Sequence, residues 1–172
     1  MTEALAVALN NLGDLAIREG NVDEGQSLEE EALTVAATGS VSAGIARINL
    51  AHVMMLKGHS RDAVTFSREA LESGLQQGNL LLVAWAAIEL AWALAAQNQL
   101  ARACHLLGSA KGFIKQSGAT NDWMDLASAD AVHEILREQL TPPHAQAMLD
   151  EGASTRLEDA AAEELHKSAE CM

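Results

Sequence analysis

The side chains that could carry chemistry are few and scattered. Histidines stand at His52, His59, His105, His133, His144 and His166. No two fall into an H-x-x-x-H or H-E-x-x-H grouping, the spacing that turns two imidazoles to one helical face as metal ligands, so neither metal nor cofactor is expected. Cys104 and Cys171 form no C-x-x-C pair and suggest no disulfide framework. Cys104 adjoins His105, but neighbouring residues on a helix point away from each other, which argues against a thiol–imidazole pair. The Asp23-Glu24 and Glu29-Glu30-Glu31 clusters read as solvated helix faces with no nucleophile beside a base. No G-x-x-x-x-G-K-[ST] phosphate loop occurs, so nucleotide chemistry is not assigned. The chain reads as non-catalytic, with an enzyme of unrecognised site as a distant alternative.

Two indoles stand out as contact groups. Trp85 and Trp92 are seven residues apart, nearly aligned on a helix, within a stretch from Leu80 to Ala96 whose only charge is Glu89. Such a helix is ordinarily buried on every side. At under 20 apolar residues and with Glu89 inside, it is too short to read as a membrane span.

The elements that must position these groups are helical. Hydrophobic residues make up 49% of the 172 but aromatics only 3%, the mass being Ala and Leu, the strongest helix formers. No β-branched run alternates over a strand length. The fold class expected is all-α.

The chain repeats. Leu12, Leu50 and Leu90 sit at offsets of 38 and 40 residues in similar helices, each followed by a second helix. Helix-pair solenoids have periods of about 34 to 47. Small residues recur in register: Gly13, Ala51 and Ala91 beside the leucines; Gly20, Gly58 and Asn98 at the turns; Gly25, Ala63 and Ala103 at the crossings; Ala32, Ala70 and Ala110 in the second helices. Helices approach to about 8 Å only where contact side chains are small. A left-handed residue ending a helix is best supplied by Gly, then Asn. Units are expected over residues 2–38, 42–78 and 80–118. Within 120–172, capping helices should follow: one from about Asp122 to Gln139, one opened by Thr141-Pro142 and closed by Gly152, and one behind a capping box at Thr155-Arg156-Leu157-Glu158, ending in a frayed tail.

The Leu12-Gly13 pair, the turn glycines and the small crossing residues resemble the tetratricopeptide family. The closing proline is missing and the first helices carry Leu9, Arg47 and Ala87 where the family prefers an aromatic. The resemblance implies an α-α superhelix, a right-handed solenoid of antiparallel helix pairs. The residues Ala103-x-x-Leu106-Leu107-Gly108-x-Ala110 with Gly118-Ala119, and Met148-Leu149-Asp150-Glu151-Gly152 followed by Leu157-Glu158-Asp159-Ala160, are similar to the helical C-terminal region of bacterial LuxR-family and related signal-transduction ATPase regulators. That resemblance implies a sensing and protein-contact role in transcription regulation, with other domains of the same regulator among the partners. The alternative is a stand-alone adapter for an apolar peptide or helix.

Family positions that contact ligands fall on Asn10 and Asp14 in the first unit, Ile45, Ile48, His52 and Met55 in the second, and Trp85, Ile88 and Trp92 in the third. The implied groove is apolar with two indoles. Either it receives a partner helix or extended peptide, with the indoles as anchors, or the C-terminal helices fold back and fill it. The nearly all-apolar character of 80–96, with Glu89 its only charge, favours the second.

Charge bears on partners. Residues 1–31 carry −7, the middle +3 and residues 122–172 −9, giving −13. Nucleic-acid phosphate would be repelled, so direct nucleic-acid contact is not expected. No positively charged apolar leader precedes Arg18, and the cytoplasm is the expected compartment. In the opening helix Leu5, Leu9, Leu12 and Ala16 form an apolar stripe widened by Ala8 and Leu15. Such a helix needs neighbours on two sides, and a preceding repeat or a homodimer partner at an exposed end of the stack could supply one.

Overall fold

A computed structural model describes residues 2–120 and 123–169, and the described residues are helical throughout, with no strand. The chain runs α1 (Thr2–Arg18), α2 (Val22–Val35), α3 (Val41–Leu56), α4 (Ser60–Gln77), α5 (Leu80–Ala96), α6 (Leu100–Ser117), α7 (Trp123–Gln139), α8 (Pro142–Ala153) and α9 (Leu157–Ala169). None of these helices is long and apolar enough to cross a membrane. The expected start at Asp122 and the terminal Cys171 lie outside the described residues.

From α1 to α6 each helix packs on the next in sequence, and α3 also packs on both α1 and α5. The turn residues show why the chain reverses where it does. Gly20, Gly58 and Asn98, each just after the first helix of a pair, adopt φ of 85°, 78° and 62°, and Asn98 is the one non-glycine with positive φ among the described residues. Asparagine tolerates this region at the least cost after glycine.

Small residues then set how closely helices approach. A Cβ on Gly13 would fall 2.3 Å from Glu29 Oε1, and one on Gly25 would fall 2.5 Å from Ile17 Cγ1. Ala32, Ala51, Ala63, Ala70, Ala91, Ala103 and Ala110 are wholly buried. Around them Leu50, Leu71, Leu82, Leu90, Leu94, Leu106 and Leu107 are almost fully enclosed, each contributing about 1.5–3 kcal/mol by leaving water. Cys104 is part of that core, and burial pushes its thiol pKa up.

Three features differ from the sequence reading. Leu12, expected at a packing position like Leu50 and Leu90, is 53% exposed, because among the described residues α1 packs on α2 and α3 and no helix lies over its Leu12 side. Gly152 does not end α8 in a left-handed turn; it lies buried in the last turn of α8, where a Cβ would meet His105 O at 2.5 Å, while one on Gly108 would meet Leu149 O at 2.3 Å. The two glycines face each other and let α6 and α8 pack backbone to backbone. Thr155 does not sit at the cap of α9. Its hydroxyl lies 3.1 Å from His105 Nε2 and reaches Glu151 O at 3.4 Å, and α9 begins at Leu157 with the Arg156 carbonyl accepting from Asp159 and Ala160.

The last three helices do not extend the series in sequence order. α8, not α7, packs along α6, while α7 crosses back onto α5 and α9 spans α4, α5 and α6. Glu164 of α9, nearly buried, accepts from Arg68 of α4 at 2.9 Å and from Arg102 of α6. Paired with two guanidiniums, it escapes the penalty of an isolated buried charge.

Candidate binding face

The face shared by α1, α3 and α5 carries the positions singled out in the sequence. α3 starts where the Ser40 hydroxyl accepts from Ala43 N at 3.2 Å, and α5 where Asn79 Oδ1 accepts from Leu82 N at 3.1 Å. These caps set helical phase. Ile45, Ile48, His52 and Met55 then recur along one side of α3, and Trp85, Ile88 and Trp92 along one side of α5. Asn10 and Asp14, four apart, share a side of α1.

α7 lies across part of this face. Its first residue, Trp123, donates from Nε1 to Asp14 Oδ1 at 2.9 Å, and its ring meets the edge of His52 at a centroid distance of 5.8 Å. The Arg18 guanidinium sits 5.3 Å from the Trp123 ring centroid. Met124 joins a buried cluster with Ile17, Val53, Met54, Met55, Ala63 and Ala93, against which Trp92 also packs. Ile88 is enclosed in the main core. The structure therefore brings His52, Met55 and Trp92 under α7.

One turn further along α7, Ser128 reaches a buried pair that sequence spacing did not reveal. His52 Nδ1 lies 3.2 Å from Glu89 Oε1 and 3.1 Å from Ser128 Oγ, and Ser128 donates to Glu89 Oε1 at 2.5 Å. Serine, histidine and glutamate side by side invite comparison with a nucleophilic triad, but the geometry differs. A general base needs a bare ring nitrogen facing the serine proton. Here that proton points to the carboxylate, and serine and carboxylate crowd the same ring nitrogen, which must donate. All three residues are buried. The cluster acts as a polar staple holding α3, α5 and α7 in register. Glu89, the only charge between Leu80 and Ala96, was its signal; its partners lie 37 and 39 residues away in sequence.

A second buried carboxyl lies between α1 and α3. Glu29 of α2 is fully enclosed and accepts from Asn49 Nδ2 at 2.7 Å. Desolvation, reinforced by the charge of Asp14 and opposed by the Asn49 bond, raises its pKa to about 8. At neutral pH this carboxyl is largely protonated.

The part of the face that α7 leaves open is a pocket of about 190 Å³, lined by Asn10, Asn11, Asp14, Ile45, Ile48, Asn49, Trp85, Met124 and Asp125. It gathers Asn10, Asp14, Ile45, Ile48 and Trp85 of the sequence-derived set; His52, Met55, Ile88 and Trp92 lie outside it. Asn11, Asn49, Met124 and Asp125 were not foreseen, the last two because they come from α7. Asn10 donates from Nδ2 to Ser42 O at 3.0 Å. Its Oδ1 and the Trp85 indole N–H are buried without a hydrogen-bond partner among the described residues. No group of three His, Cys, Asp or Glu side chains placed to hold a metal ion occurs among them.

Comparison with known proteins adds no relative. No protein-family model, curated protein or solved structure matches this chain.

Proposed function

We propose that the chain is a non-catalytic interaction module built as a tetratricopeptide-like helix-pair solenoid, serving in the cytoplasm as the regulatory part of a bacterial signal-transduction or transcription regulator. One observation carries the interaction reading. Positions related by offsets of 38 and 40 residues are buried in two helices and bare in the third. Ala43, Ala46, Leu50 and Val53 of α3, and Val83, Ala86, Leu90 and Ala93 of α5, are at most 2% exposed, while their equivalents in α1 are Leu5 at 47%, Ala8, also exposed, Leu12 at 53% and Leu15 at 47%. The helices preceding α3 and α5 cover those faces. The face of α1 is shaped for the same kind of cover.

The occupant that fits is another helix pair of this type, presenting small apolar residues rimmed by basic ones. Residues 1–31 carry −7, so a basic rim is electrostatically complementary. The tetratricopeptide and regulator assignments rest on the residue resemblances, and the α7-covered face supports α1, rather than the groove, as the contact surface.

Affinity capture from native cells tests this. The Leu12→Lys/Leu15→Lys double variant, with helicity unchanged, loses the partner that the parent chain retains. Equal capture by both, or turnover in a broad hydrolase screen, would sink the reading.

A further inference from the structure

We infer that the pocket between α1, α3, α5 and α7 is a binding site for a small primary ammonium compound that also carries a neutral hydroxyl or carbonyl acceptor. This goes beyond the α1 interface and does not depend on it.

The walls are rich in acceptors. Asp14, which also accepts from Trp123, and Asp125 bring two carboxylates to the pocket, and among the described residues no Lys or Arg lines it. Asn10, only 4% exposed, lines the same pocket with its buried Oδ1 unpartnered, having committed its amino group to Ser42 O. An unsatisfied buried acceptor costs free energy until a donor reaches it. An ammonium group has three donors and no acceptor, so it can serve Asn10 and a carboxylate together.

The remaining lining decides between cations. Trp85, Ile45, Ile48 and Met124 supply apolar and aromatic surface, which suits an alkylammonium through contact with its methylenes and the indole. A hard metal ion would instead need an oxygen shell. The buried Trp85 N–H is a donor lacking an acceptor, and a neutral hydroxyl or carbonyl on the ligand supplies one. A carboxylate on the ligand would be repelled by Asp14 and Asp125. At about 190 Å³ the pocket is smaller than the usual range of about 300–1,000 Å³ for drug-sized ligands, so the ligand has only a few heavy atoms.

The test uses indole N–H resonances of the intact chain, with Trp85 assigned from Trp85→Phe. The probe is 3-amino-1-propanol, beside 1,3-propanediol, in which a hydroxyl replaces the ammonium, and β-alanine, in which a carboxylate replaces the alcohol. A Gly-Gly-Lys-Gly-Gly peptide carries the same ammonium on a protein side chain. The expected result is a saturable Trp85 shift with the amino alcohol, weakened about tenfold in Asp14→Asn. That variant keeps an acceptor for Trp123, and Asp125→Asn should act in the same direction. A flat response to the amino alcohol overturns the site, as does an equal response to the diol or to β-alanine. A stronger response to the peptide assigns the pocket to a protein lysine and overturns the small-molecule ligand.

Discussion

The indole N–H of Trp123 donates to Asp14 Oδ1 at 2.9 Å across 109 residues of sequence, joining the first turn of α7 to α1. Through this bond and the contacts beside it, α7 turns back and closes part of the face shared by α1, α3 and α5. Trp123→Ala removes the bond, the edge contact with His52 and part of the cover over the methionines. The indole is only half-buried, so the cost should be about 2–3 kcal/mol, below the range for a fully enclosed tryptophan. Hydrogen exchange should accelerate over residues 123–139 well before it does over 41–117. Uniform acceleration would mean that α7 does not open separately from the rest.

Ser128→Ala probes the staple one turn on. It deletes the donor to Glu89 and leaves a fully buried carboxylate with His52 as its remaining partner at that oxygen. A buried acceptor deprived of a donor costs about 1–3 kcal/mol. Urea denaturation should show a lower midpoint with unchanged slope. An unchanged midpoint would mean that water replaces the serine and that the site is wetter than its burial implies.

Glu29 gives a pH dependence whose sign follows from its raised pKa. In the unfolded chain this carboxyl ionises near its ordinary value of 4.5, whereas in the folded chain it holds its proton to about 8. Its contribution is therefore fully present below about pH 4.5 and is lost as pH rises through about 8. Glu29→Gln, which is neutral at every pH, should flatten the melting temperature between pH 5 and pH 8 and raise it at pH 8 relative to the parent. A parallel offset at both pH values would show that Glu29 ionises normally within the fold.

How much of this was legible in the sequence depends on how local the cause is. Turn residues were readable because Gly20, Gly58 and Asn98 answer a backbone demand written into single positions. Leu50, Leu90 and the recurrent alanines were readable because a helix must hide one face, whereas Leu12 at the equivalent position is exposed. Trp123, Ser128 and Asp125 were not, since nothing in their neighbourhood says which distant helix α7 crosses. Gly152 was misread for a related reason: a glycine can supply a left-handed turn or permit close approach, and only the backbone of His105 opposite it decides between them.

Gly152→Ala should accordingly behave unlike a turn substitution. The new methyl group would press on the carbonyls of His105 and Cys104, at 2.5 and 2.9 Å, which are backbone and cannot rotate away. Overpacking of this kind costs about 1–3 kcal/mol, against a small gain in helix propensity. A chemical melt should show net destabilisation, with α8 and α9 exchanging first. A neutral or stabilising outcome would mean that α6 and α8 pack less closely than these distances require.

The leucines at one repeat position separate what the fold needs from what the α1 face offers. Leu50 and Leu90 are at most 1% exposed, and replacing either with alanine should cost about 2–5 kcal/mol through lost burial and the cavity left behind. Leu12, 53% exposed, has little of this to lose, and Leu12→Ala should stay within about 0.5 kcal/mol of the parent chain. The comparison is best made by denaturation at two protein concentrations about a hundredfold apart, because a face covered by a second copy would make the cost of Leu12→Ala grow with concentration by mass action. A small, concentration-independent effect is expected if the partner is another protein. A cost at Leu12 approaching that at Leu50, rising with concentration, would identify a homodimer as the cover and redirect the interface from a foreign helix pair to the chain itself.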